Sequence, residues 1–411
     1  MTRRAALPLL SLTIACGGAD HAARPADVPA RAVAEPELAA LLARYDAMQP
    51  GADRDRLERR IDRIAGQRYA VWSRLSWHRD LDAAMAEARA TGKPILSLRM
   101  LGDLDEDLSC ANSRFFRVAL YANQEVSAYL RDHFILHWSS ERPVPVARID
   151  FGDGRVLQRT VAGNSAHYLL DQRGRPIDVL PGLYTPALFV ETLERARPLA
   201  ARAASLDDGA LADEIAAHHG AWAAEAEERF ASLGTIQPLP EGSTIAGAEM
   251  RAVSKAAVEM PVVRELRLGR DLALDAAAAD RSAETWNQIG KLLAGKVGRG
   301  RLDDRSRALF AALEPADWAR AGQPLPAADI DSLVEVFEEV MTRDAAFNEL
   351  VLHRQIHHHL ARNTEATPIA FSDLNGWVYA TLFRTPAEDP WLGMATPSVF
   401  SGIPNDGIVM R

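Results

Sequence analysis

The sequence predicts an α/β domain whose mixed sheet is covered by helices on both faces, followed by an all-α domain. Three observations predict it. Strand and helix signals alternate from Trp77 to about Ala204, two hairpin signals close that stretch, and from Asp207 onward strand signals vanish while helical patterns continue. At 48% hydrophobic and 25% charged residues, the 411-residue chain has a globular composition and is long enough for more than one core. Its net charge of −9 excludes an overall electrostatic footprint for nucleic acid, so no such partner is expected.

Taken in order, residues 1–16 (MTRRAALPLLSLTIAC) carry two arginines, a short apolar run and a small residue before Cys16. The run falls short of the roughly 20 apolar residues a membrane span needs and reads as a secretory signal. It resembles a bacterial lipoprotein signal, with Cys16 as the acylated residue and Thr13 where leucine is usual; ordinary signal cleavage and an unprocessed N-terminus remain alternatives. The resemblance implies a protein secreted across the inner membrane and lipid-anchored in the bacterial envelope. Residues 17–35, rich in Ala, Pro and Gly, suit a flexible tether. Residues 36–68 read as a helical preface that packs on the next domain, with Glu58 one turn from Arg54 and from Asp62.

The α/β domain is expected over 69–205. LDAAMAEARATG sets Leu81, Ala84, Met85 and Ala88 on one face and stops at Gly92; KPILSLRM then reads as a buried strand. Ser109 is placed to cap a helix carrying Phe115, Phe116 and Val118. Val126 to Asp132 is helical and FILHWSS a strand. VARIDF and RVLQRTV flank the hairpin signal Gly152-Asp153-Gly154, and HYLLD and PIDVL flank a second turn at Gln172 to Arg175. Thr185 caps a further helix with Pro186 at its first position. The all-α domain, 206–411, holds helical stretches at Leu211–Ser232, Ala246–Val258, Ala283–Leu293, Arg305–Ala312, Asp329–Met341, Asp344–Ala361 and Leu374–Phe383, then a loop-like tail from Pro386 in which Trp391 reads as an anchor.

From Trp77 to about Ala196 the chain resembles the thioredoxin-like superfamily. The residues that carry the resemblance are Trp77, Asp80, Ala84, Ala88, Gly92, Lys93 and Pro94, which precede the first core strand, and the closing HYLLDQRGRPIDVLPG. The resemblance implies a reactive cysteine at the start of the helix after that strand, where Cys110 stands. With Cys16 lipidated, Cys110 is the one free thiol of two cysteines, and counting excludes an intramolecular disulfide. The motif is Cys110-Ala111-Asn112-Ser113, with serine in the resolving place; Ser113 can hydrogen-bond a thiolate but cannot attack a disulfide. Asn164 and Ser165 occupy the substrate-facing loop where the family usually has a cis-proline. Asp103, Asp105, Glu106 and Asp107 crowd the approach and oppose thiolate formation.

A second feature is NELVLHRQIHHHL, in which Glu349, His353 and His357 recur every four residues, a geometry open to a transition metal. The competing reading pairs Glu349 with His353 at a helix contact and leaves His358 and His359 solvated; no second ligand cluster is evident. His133, His137 and His167 lie in or beside the α/β core, each able to approach Cys110. Walker, G-x-G-x-x-G and G-x-S-x-G motifs are absent, and no cofactor is expected. Two functional readings stay open: monothiol exchange with a protein thiol or disulfide through Cys110, or a catalytically silent thioredoxin-like module that binds a partner.

Overall fold

The computed structural model describes residues 35–160, 165–231, 294–295, 297–313 and 330–383. The expected signal sequence with Cys16, the tether before Glu35, Asn164, the helical stretches Ala246–Val258 and Ala283–Leu293, and the tail with Trp391 lie outside the described residues. Among the described residues no helix is long and apolar enough to cross a membrane.

The preface forms helices α1 (Glu35–Asp46) and α2 (Ala52–Ala65), followed by the short α3 (Ala70–Ser73). They bury a cluster of their own, built from Leu38, Leu41, Leu42 and Tyr45 against Leu57, Ile61 and Ala65. Arg54 lies over the Tyr45 ring and Glu58 accepts the Tyr45 hydroxyl proton, so the expected Glu58 partners are rearranged around an aromatic ring. Polar contacts then fasten the preface to the sheet domain. The Trp138 indole donates to the Gly66 carbonyl at 2.7 Å, Trp77 N–H donates to Ala65 at 2.9 Å, and Arg68 links buried Asp62 to Asp107 in the loop before Cys110.

Helix α4 (Leu81–Thr91) starts where Asp80 accepts the Ala83 N–H and stops at left-handed Gly92, as the apolar spacing predicts. Strand β1 (Ile95–Leu101) is buried along its length except for half-buried Arg99, as a strand covered on both faces should be. It pairs in parallel with β2 (Ile135–Arg142). The crossover is α5 (Ala111–Phe116), a π turn at Arg117–Tyr121, and α6 (Gln124–His133), whose cap is Asn123. Strands β3 (Val146–Asp150) and β4 (Val156–Thr160) form the first predicted hairpin, but as a separate two-stranded sheet. Neither face of β3 is buried, and Val146, Phe151 and Val156 are exposed, so no core draws this hairpin in. The second hairpin, β5 (Ala166–Leu170) and β6 (Pro176–Pro181), completes a mixed four-stranded sheet in the order β2-β1-β5-β6. Its turn is held by Asp171, which accepts from the Arg173 and Arg175 N–H groups and pairs with the Arg175 guanidinium. Helix α7 (Pro186–Ala203) follows, capped by Thr185 as predicted.

The rest of the described chain is helical: α8 (Asp208–Ala231), α9 (Asp304–Leu313), α10 (Ile330–Phe347), α11 (Arg354–Ala361) and α12 (Phe371–Trp377). The stretches expected as two helices, Asp329–Met341 and Asp344–Ala361, run on as one, because a π turn at Asn348–His353 joins α10 to α11. A further π turn, Val378–Leu382, continues α12. The sheet and the helical region share a core: one buried cluster runs from Leu75 through β1, β5 and β6 to Met341, Ile356, Leu374 and Phe383.

Edge strand β6 is buried throughout because the Asn348–His353 turn covers it. The approach is close at Gly182, whose φ is +75° and whose missing Cβ would lie 2.5 Å from Asn348 Nδ2; that amide donates to the Leu183 carbonyl at 2.8 Å. Gly182→Ala should therefore lose the backbone cost of a left-handed alanine, about 1–2 kcal/mol, and displace Asn348 as well. Gly152, with φ +76° and nothing within 4 Å, isolates the backbone cost. Urea denaturation of both alanine variants checks this: Gly182→Ala should be the less stable by at least about 1 kcal/mol, and equal losses would show that the contact contributes nothing.

Candidate functional site

Cys110 N–H donates to the Leu101 carbonyl at 3.1 Å, which places the residue at the end of β1 and at the N-cap of α5. Ser109, expected as the cap, is turned elsewhere. The cap position is extended (φ −59°, ψ 153°), and the sulfur accepts no N–H from the first turn. The helix terminus therefore gives the thiol no direct hydrogen bond of the kind that activates such cysteines.

Proton directions around the sulfur follow from one group that can only accept. The Cys110 carbonyl takes the single Ser113 proton at 2.8 Å. Ser113 Oγ is left accepting the Cys110 S–H at 3.4 Å and the Ser109 hydroxyl proton at 2.7 Å. Ser109 Oγ in turn accepts from the guanidinium of fully buried Arg117. Ser165 Oγ lies 2.8 Å from the sulfur and has a proton to donate to it. The thiol is thus satisfied as a neutral group, at zero solvent exposure. Ser113 receives the thiol proton instead of donating to a thiolate, the role expected of it.

Electrostatically the surroundings differ from the acidic crowd in the sequence. Asp105 pairs with Arg79 and Asp107 with Arg68, so at least two of the four nearby carboxylates are tied to arginines. The buried charge nearest in the hydrogen-bond chain is the Arg117 cation, which burial lowers to about 10, so it stays protonated at neutral pH. Of the three candidate histidines, His167 packs at a tilt against Phe116 and meets the Tyr121 hydroxyl at 2.7 Å, His137 meets Ser97 Oγ at 2.8 Å, and His133 lies against the Tyr129 ring. None of these contacts is with Cys110. Among the described residues, the structure thus brings Cys110, Ser113 and Ser165 together without a base in hydrogen-bond contact with the sulfur.

The histidine stripe turns inward, as its spacing suggests. His353 is fully buried between Glu349, 2.8 Å from Nδ1, and Asp178 of β6, 2.9 Å from Nε2. Burial alone would lower its pKa, but the two carboxylates outweigh it and raise it to about 10, so the ring is an imidazolium donating on both sides. Asp178 is held well below the usual carboxylate range: burial opposes this, and His353 overcomes it. Glu349 also accepts the Tyr184 hydroxyl proton at 3.1 Å.

His357 points the other way, with Nδ1 2.8 Å from Nδ1 of His219 on α8. His219 Nε2 lies 2.8 Å from the Ile177 carbonyl and must carry the proton there. Burial lowers His219 to about 4 and, with the neighbouring His353 charge, pushes His357 well below its ordinary value, so both rings are neutral. Trp222 closes the group, with its ring edge-on to both His353 and His357.

Sequence reasoning found Cys110, Ser113, Ser165, Glu349, His353 and His357. It read Ser109 only as a helix cap, did not single out Arg117, His219 or Asp178, and saw no second group of possible ligands where β6 and α8 bring Asp178 and His219 to His357. One signal was available: Asp178 is the lone charge in PIDVLP, and an aspartate inside an apolar strand requires a partner. No protein-family model, curated protein or solved structure matches the chain.

Burial lowers both His137 and His167 to about 3. In the unfolded chain each takes a proton near pH 6.5. Between those limits the unfolded state binds more protons, so stability falls as pH falls, by about 1.4 kcal/mol per pH unit for each histidine. His167→Gln should flatten the slope of unfolding free energy between pH 6 and 4 by about that amount; an unchanged slope in chemical denaturation would show that His167 titrates alike in both states.

Proposed function

We propose that the chain is a lipid-anchored envelope protein built on a thioredoxin-like domain whose cysteine site is catalytically silent, and that it acts by binding a partner. The observation that carries this reading is the Cys110 sulfur: fully buried, with its proton given to Ser113 and its lone pair facing the Ser165 hydroxyl. Thiol exchange requires an accessible thiolate that attacks a disulfide in line. Here attack would require the sulfur to leave its pocket, and no base stands ready to take its proton.

The thioredoxin-like part of the reading is supported by the sheet order, with β1 and β2 parallel around a helical crossover and then an antiparallel hairpin and a closing helix. It is supported also by the place of Cys110 at the end of the first strand of that sheet. The binding role is supported by hairpin β3–β4, which pairs with no other strand among the described residues and presents exposed Val146, Phe151 and Val156. Unpaired strands with apolar side chains are templates for association.

The anchor has a separate test: Cys16→Ser should move the protein from the membrane to the soluble fraction, and unchanged membrane association would remove the lipoprotein reading. For the thiol, alkylation of the native protein should proceed more than about 100-fold slower than that of a free cysteine, and only unfolding should restore the rate. Labelling at the free-thiol rate with an apparent pKa below about 7.5 would instead establish a reactive monothiol.

A further inference from the structure

The geometry points to a divalent transition-metal site of the zinc class formed by Asp178, His219 and His357, buried where edge strand β6 meets α8 and α11. One ligand atom from each of the three residues lies within 4.8 Å of the other two, and all three side chains are buried. Two imidazoles and a carboxylate are a donor set that zinc and its neighbours accept.

Two independent features favour a cation there. The first is an orphaned atom: Asp178 directs Oδ1 to His353 and to the Val179 N–H, while its fully buried Oδ2 has no hydrogen-bond partner among the described residues. An unpartnered carboxylate oxygen inside a protein is costly unless a cation or donor meets it. The second is support around the ligands. His219 donates its far nitrogen to the Ile177 carbonyl, and His353 holds the Asp178 carboxylate from behind, the pattern that orients metal-ligating imidazoles and carboxylates. Strand β6 thus offers one ligand and the carbonyl that aims another.

Without the ion, the 2.8 Å contact between the two Nδ1 atoms requires one proton, donated by His357 to the bare nitrogen of His219. Binding moves that proton to the far nitrogen of His357 and frees both Nδ1 lone pairs. At metal–nitrogen distances of about 2.0–2.1 Å the two nitrogens would stand about 3.3 Å apart, a small opening of the pair. Three protein ligands leave a fourth position for water.

The test uses full-length protein, freed of any histidine tag and dialysed against a chelator, then titrated with zinc alone by calorimetry. One zinc per chain is expected, with a rise in melting temperature. His219→Asn and His357→Asn should each weaken binding by more than about 100-fold, whereas His358→Ala, on the neighbouring half-exposed position, should leave it unchanged. X-ray absorption on the wild-type zinc form reads the ligands without any variant, and should show two imidazoles and oxygen donors. No stoichiometric binding, binding insensitive to both asparagine variants, or a shell with sulfur or a single imidazole would overturn the assignment.

Discussion

The His353 imidazolium, held between Asp178 and Glu349 at zero exposure, is the interaction on which the described structure most depends. It is where the sheet's last strand meets the longest helical run. A fully buried and a partly buried carboxylate sit together there only because a cation stands between them, and that cation keeps its proton because both carboxylates are present. Breaking a buried pair by removing one member typically costs about 3–5 kcal/mol, since the other charge is left uncompensated. That is a large share of the whole stability of an ordinary domain. The clamp also explains how an edge strand can be buried: the π turn that carries His353 covers β6, where an open edge would otherwise be a pairing hazard.

A different balance holds at Cys110. Its neighbours form a directional relay, Arg117 to Ser109 to Ser113, that ends on the cysteine's own carbonyl. The carbonyl at its end can only accept, so it takes the single proton of Ser113 and leaves that oxygen to accept from Ser109. The relay's polarity therefore fixes which serine accepts and which donates at the sulfur. Reading residue types alone, Ser113 and Ser165 are equivalent hydroxyls near a thiol; position in the relay makes them opposites.

Local signals in the sequence were reliable where one residue decides a conformation. Asp80 caps and Gly92 stops α4, Thr185 and Pro186 open α7, and both turns close hairpins. The spacing of Glu349, His353 and His357 correctly indicated an inward face. What stayed hidden depended on partners distant in the chain. That β3–β4 would stand apart from the main sheet is set by what covers it, not by its own alternation. His219 lies 138 residues from His357, and no local pattern joins them. Arg117 reads as one more charge on a helix, and only the packing shows it buried beside a thiol.

The π turn at Asn348–His353 has a consequence for how this surface tolerates change in length. A π turn holds about one residue more than an α turn, so it rotates every following side chain by about 100° relative to an uninterrupted helix. His357 and Ile356 face α8 and the core because of that extra residue. Losing that extra residue would close the turn to α geometry and leave Ile356 and His357 facing as they do, whereas an uninterrupted α-helix of the same length would turn Gln355 to where Ile356 now points. The phase of the helix, as much as its composition, therefore decides which side chains meet β6 and α8 at this junction.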